Sequence, residues 1–183
     1  MIAALVGGTP ITVETVERRV RRLRRGPRGE LLPADGTAEG RQLRRWVTQI
    51  LVAEQVVADE AARRGIVPGG PPLELTPTDR LELGSVMAAV LSGNPLAQAL
   101  YRALTATQTI PETEISQYFA NNQDRYRGIS YEQAAPGIRA TLLGARRRRQ
   151  FALWADARCA RATLLPGFEH PGDIRHPDHT HRH

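Results

Sequence analysis

Every histidine of the chain lies within its last 14 residues: His170, His176, His179, His181 and His183. Neutral imidazole is a borderline ligand suited to Ni, Zn and Cu, and the spacings His176-x-x-His179 and His179-x-His181-x-His183 let neighbouring rings meet one ion. Asp173 and Asp178 place carboxylates among them. The spacing is irregular and lies on no rigid element, so the expected chemistry is a labile store or relay of metal rather than a preformed catalytic centre. A docking peptide or an unstructured end is the plainer reading of the same residues. Cys159 stands close by, although a lone cysteine more often behaves as a small buried apolar side chain.

Elsewhere the sequence offers little that reacts. Asp124 and Glu132 are isolated carboxylates, and Tyr118 and Tyr126 read as packing residues. No nucleophile elbow, phosphate-binding glycine loop or dinucleotide fingerprint is present. One cysteine excludes an intramolecular disulfide and fits a reducing compartment. No apolar run approaches the roughly 20 residues that span a bilayer, and Met1 to Val6 carries no basic leader. The expectation is a cytoplasmic protein without membrane contact.

The net charge of +6 raises nucleic acid as a partner, yet all 25 basic residues are arginine and none is lysine. Seven arginines fall between Arg18 and Arg28, and four form Arg146 to Arg149. Neither cluster carries the interleaved aromatics of a single-strand binder or the signature of a reading helix. These runs are expected to be solvated helix faces and contacts to acidic partners, with no nucleic acid bound.

The elements that must position these residues follow from periodicity. Ile2 to Val6 reads as extended, Gly7-Gly8 as a turn, and Pro10-Ile11 as a second extended piece. Val13, Val16, Val20 and Leu23 then recur at helical spacing behind a Thr12 cap. A second helix, capped by Thr37 and stopped at Gly65, shows an apolar arc from Leu43 through Trp46, Ile50, Leu51 and Val57 to Ala61. That arc is wider than one neighbour covers, so it needs several helices, a second copy of the chain or a bound client. Trp46, Ile50 and Val57 are the candidate client-binding residues, while Trp46 and Trp154 also suit a core. Val67 to Thr76, with its Pro-Gly-Gly-Pro-Pro run, cannot be regular. Further helices are expected over 78–91, from Pro95, after Pro111, and from a Ser130-x-x-Gln133 capping box onward, the last supplying Ile138, Leu142, Leu153 and Trp154. From Pro166 the composition is that of a tail.

Four stretches resemble the chaperone domain of SurA/PrsA-type foldases, the parvulin-linked peptidyl-prolyl isomerases. They are Ala4 to Thr12, Leu43 to Ile66, Ile110 to Phe119 with Asn122 and Tyr126, and Ser130 to Trp154. The resemblance implies an all-α, SurA N-terminal-like helical domain over residues 1–161, with a short N-terminal extended segment, and composition adds a disordered His-rich tail over 162–183. It also implies a chaperone-like or assembly factor that binds a protein client, and the histidines of the tail add the expectation that it aids metalloprotein maturation. A non-catalytic accessory subunit docked in a larger enzyme complex is the alternative. Where the family inserts its parvulin domain, this chain has only the three residues between Tyr126 and Ser130, and no histidine precedes His170. No isomerase is therefore expected.

Overall fold

The computed structural model describes residues 1–170, and over them the chain is mostly helical with a short strand region at its N-terminus. Strands β1 (Ile2–Val6) and β2 (Thr9–Thr12) form an antiparallel hairpin, with Val6 opposite Thr9. The two linking residues, Gly7 and Gly8, have φ of 54° and 90°. A two-residue hairpin turn of this kind needs positive φ at both positions, which glycine meets without a steric penalty. The register slips between Ile2 and Ala4, and consecutive Ala3 and Ala4 are both buried where regular alternation would bury one.

Thr12 ends β2 and caps α1 (Val13–Arg24), its hydroxyl accepting from the Thr15 amide at 3.2 Å. A 3-10 turn at Gly29–Leu31 leads into α2 (Ala38–Arg64). Thr37 caps α2 by accepting from the Gly40 amide at 3.0 Å, and Gly65 stops it in the left-handed conformation, both at the positions read from sequence. The irregular 65–76 segment is fastened to α4 (Pro95–Thr105): the Gln98 side chain accepts from the Leu73 amide at 3.2 Å, and Arg102 donates to the carbonyls of Gly69 and Pro71. Helix α3 (Pro77–Gly93) meets α4 at 115°.

Helix α6 (Tyr131–Cys159) has 29 residues, about 43 Å of helix at 1.5 Å per residue, and serves two cores. Its first half closes on α5 (Glu112–Asn121), where Ile115 and Ile138 are fully enclosed among Tyr118, Phe119 and Tyr131. Arg139 donates to Glu112 at 2.5 Å and Arg146 to Glu114 at 2.6 Å, tying the two helices along their edge. The hydrogen bond from Tyr131, followed by that from Arg139, holds the Glu112 carboxyl below its ordinary range. The second half of α6 packs Phe151 and Ala155 against α2, α3 and α4. Both halves of the Ser130–Gln133 capping box are formed, and Pro136 is tolerated in the second turn.

The wide arc of α2 is covered within the chain. Leu43, Val47, Leu51 and Val56 pack under the hairpin and α1, while Ile50, Ala53 and Val57 pack under α3, α4 and α6. Trp46 and Trp154 each touch both clusters. Among the described residues no single helix is long and apolar enough to cross a membrane.

Three expectations need correction. The fold does not end at residue 161: β3 (Thr163–Leu164) pairs with β1, the Leu165 amide donates to the Ala3 carbonyl at 2.9 Å, and Phe168 packs onto the hairpin core. The expected disordered tail falls on 171–183, outside the described residues. Helix α3 is not continuous, because Gly84 leaves helical geometry. Leu153, expected inside, is 59% exposed, since the α6 face opposite Phe151 and Ala155 has no neighbour to cover it.

Packing predicts the outcome of truncations. Ile50→Ala and Phe151→Ala should each cost about 2–5 kcal/mol, as large-to-small changes in closed cores do. Leu153→Ala should stay within about half a kcal/mol. Chemical denaturation of the three variants checks this order, and a Leu153→Ala cost equal to that of Ile50→Ala would reject it.

Candidate functional site: an apolar groove beside a kinked helix

Helix α3 begins firmly. Pro77 occupies its first turn, and Thr76 and Asp79 form a complete capping box. Seven residues later Gly84 has φ 75° and ψ 162°, a conformation essentially restricted to glycine. An added Cβ there would meet nothing within 4 Å, so backbone conformation rather than space requires the glycine. The break divides α3 into a first half that carries Leu81 and a second half that carries Met87, Ala88, Val90 and Leu91 into the core.

Polar ties hold the first half in place. Arg148 of α6 reaches Asp79 at 3.0 Å and Glu82 at 2.6 Å, and Arg80 donates to the Ser92 hydroxyl at 3.0 Å. Leu83 is its one buried apolar side chain. Leu81 is left 85% exposed.

Between this half and α2 lies an open groove of about 640 Å³, lined mainly by Trp46, Pro77, Leu81, Gly84 and Ala88. Ser85 lies on its wall and accepts a 3.2 Å hydrogen bond from the Trp46 indole nitrogen. That bond satisfies the one polar atom of Trp46 and leaves the ring to serve as a hydrophobic wall. Arg80 also lines the groove, and among the described residues its lining holds no carboxylate, histidine or cysteine. The chemistry of this lining suits contact with apolar side chains.

Of the candidate client-binding residues, only Trp46 reaches this groove. Ile50 and Val57 are 5% and 1% exposed inside the core formed with α3, α4 and α6. They are packing residues, because the helices that cover the α2 arc occupy the places a client would take. Sequence reasoning missed Leu81 and the kink. The signal available was a glycine within an apolar helical run, which also occurs in unbroken helices.

Of the candidate metal ligands, His170 is exposed and lines a cleft of about 710 Å³ that Asp156 and Cys159 also line and that shares Leu81, Gly84 and Ser85 with the groove. His176, His179, His181 and His183 lie outside the described residues. Among the described residues no group of three or more His, Cys, Asp or Glu side chains is arranged to hold a metal ion. Burial, reinforced by the neighbouring Asp156 carboxylate, pushes the Cys159 thiol up to about 11. It is therefore protonated near neutrality and unsuited to act as a thiolate.

Residues 2–39 match DUF7158, described as a family of unknown function. The match spans β1, β2, α1 and the turn before α2, so it does not reach the groove's residues. No curated protein and no solved structure matches the chain.

The kink yields a direct test. Gly84→Ala should cost about 1–3 kcal/mol, the range for forcing a Cβ into this backbone region, even though the added methyl has open space. A cost below about half a kcal/mol in thermal or chemical unfolding would mean that α3 does not need this conformation.

Proposed function

We propose that this chain is a binding factor of chaperone or assembly type, which holds an apolar stretch of another protein in the groove beside Trp46. The observation that carries the reading is Leu81, an exposed large apolar side chain on the rim of an apolar groove whose α3 wall is shaped by a glycine kink and tied to α6 through Arg148. Large apolar residues grouped around a concave surface mark interaction sites, whereas singly scattered ones need no explanation. The likeness of four stretches to SurA/PrsA-type foldases supports the same reading. The absence of a prolyl isomerase step is part of the proposal, supported by the three-residue link from Tyr126 to Ser130 and by the lack of any histidine before His170. The accessory-subunit alternative drew on the width of the α2 arc. With that arc covered inside the chain, no observation favours it.

The test is suppression of light scattering by an unfolding, aggregation-prone protein. The wild-type chain should slow aggregation at stoichiometric ratios, and Leu81→Asp should lose most of that effect while its unfolding midpoint stays put, since the side chain is exposed. Samples scored in parallel for cis/trans exchange of a proline peptide should show the uncatalysed rate. Full suppression by Leu81→Asp would place client binding elsewhere.

The His-rich end is proposed to bind Ni, Zn or Cu, on the strength of five imidazoles in 14 residues. Calorimetric titration of the intact chain with Ni and Zn should give binding that weakens as pH falls through about 6.5, because protonated imidazole does not ligate. A version ending at Glu169, which keeps Phe168 in the core, should give none. Equal affinity in both would put the site elsewhere.

A further inference from the structure

Adjoining the groove at Ala89 of α3 lies another open cleft, of about 720 Å³. Arg19 and Arg22 of α1, Arg28 of the following turn, Glu54 of α2 and Pro95 at the start of α4 line it. Arg19 grips Glu54 with both nitrogens, at 3.1 and 2.6 Å, so the only carboxylate in the lining is already neutralised and that guanidinium is fixed. Arg22 and Arg28 are exposed and have no ion-pair partner among the described residues. In the same run Arg18 meets Glu14 at 3.7 Å and Arg24 meets Asp35 at 2.8 Å and the Pro33 carbonyl, while Arg21 and Arg25, also without an ion pair among the described residues, do not line the cleft. The lining thus carries an excess of two positive charges. The Asn94 side chain already accepts from the Leu96 and Ala97 amides, so the start of α4 adds no open donors and the cationic character comes from the arginines.

Ala89 lines both this cleft and the groove beside Trp46. Alanine is a small side chain, so the apolar groove and the cationic cleft adjoin at this position. We propose that the cleft receives acidic side chains of the same protein segment whose apolar residue enters the groove, making this a two-part site for an apolar-acidic segment; the inference rests on the binding role proposed above. Charge complementarity selects the partner, since two unpaired guanidinium groups present planar donors matched to carboxylates. No aromatic ring lines the cleft to stack a base, which favours an acidic protein segment over single-stranded nucleic acid.

The probe is a fluorescein-labelled Leu-Leu-Ser-Ser-Glu-Glu peptide, followed by anisotropy on the full chain beside two relatives, Leu-Leu-Ser-Ser-Gln-Gln and Ser-Ser-Ser-Ser-Glu-Glu. The Glu peptide should bind roughly fivefold or more tightly than the Gln peptide, the scale of two exposed ion pairs. In an Arg22→Gln/Arg28→Gln variant that preference should vanish. An Arg125→Gln/Arg127→Gln variant, equal in net charge but altered at exposed positions after α5, should retain it. Equal affinity for the Glu and Gln peptides, no binding of either, or a Glu preference that survives Arg22→Gln/Arg28→Gln would overturn the proposal. Tighter binding of a dT oligonucleotide through the same two arginines would overturn it in favour of nucleic acid. If the all-Ser peptide binds as well as the Leu peptide while the Glu preference persists, the cleft stands and the groove reading falls.

Discussion

Helix α2 carries apolar side chains around most of its circumference and cannot be left half in water. Burying a Leu, Ile or Val side chain is worth about 1.5–3 kcal/mol, so an exposed flank of this helix would cost a large part of a small domain's net stability. One layer of neighbours cannot cover such an arc. The chain therefore spends its two ends and its middle on it: the hairpin and α1 enclose one side, and α3, α4 and α6 enclose the other. The return of β3 to β1 follows from the same need, because it brings Leu164 and Phe168 over the hairpin side of α2.

Enclosure on both sides places charged residues at the seams, and the all-arginine composition suits that task. Arg19 meets Glu54, Arg44 meets Glu17 at 2.8 Å, and Arg148 reaches both Asp79 and Glu82. A guanidinium fork holds two partners or two oxygens with little loss of freedom per bond, which an ammonium does not match. In the two basic runs Arg19, Arg24, Arg146 and Arg148 are ties between elements. Arg22 and Arg28 are distinguished by lining the cleft without an ion pair.

The parts of this arrangement legible in the sequence are those fixed by local chemistry. Thr12, Thr37 and Ser130 mark helix starts because a hydroxyl answers amides three residues ahead, and Gly7-Gly8 marks the hairpin because only positive φ closes it. The parts that escaped depend on contacts distant in sequence. Two residues, Thr163 and Leu164, form a strand only because β1 offers an unpaired edge, and nothing in their own types announces it. Ile50 and Val57 looked as available to a client as Trp46, since a helix apolar on most sides does not reveal which flank is covered. Leu81 and Leu83 differ by two positions and have opposite fates, because about 100° per residue puts them on opposite faces of the first half of α3; the break at Gly84 that ends this half is concealed by the surrounding apolar run.

That break also sets how firmly each wall of the groove is held. The α2 wall is part of the central core and moves only if that core opens. The first half of α3 buries one apolar side chain, Leu83, and relies otherwise on Arg148, Arg80 and its own capping box. Partly buried ion pairs gain Coulomb energy against a desolvation cost, so their net contribution is smaller than their geometry suggests. Displacing this half-helix exposes little apolar area, and segments with few buried apolar contacts sit at the low end of local opening free energies. The groove therefore pairs a rigid wall at Trp46 with an adaptable one at Leu81. A surface with one fixed and one yielding side is able to accommodate apolar segments of different bulk.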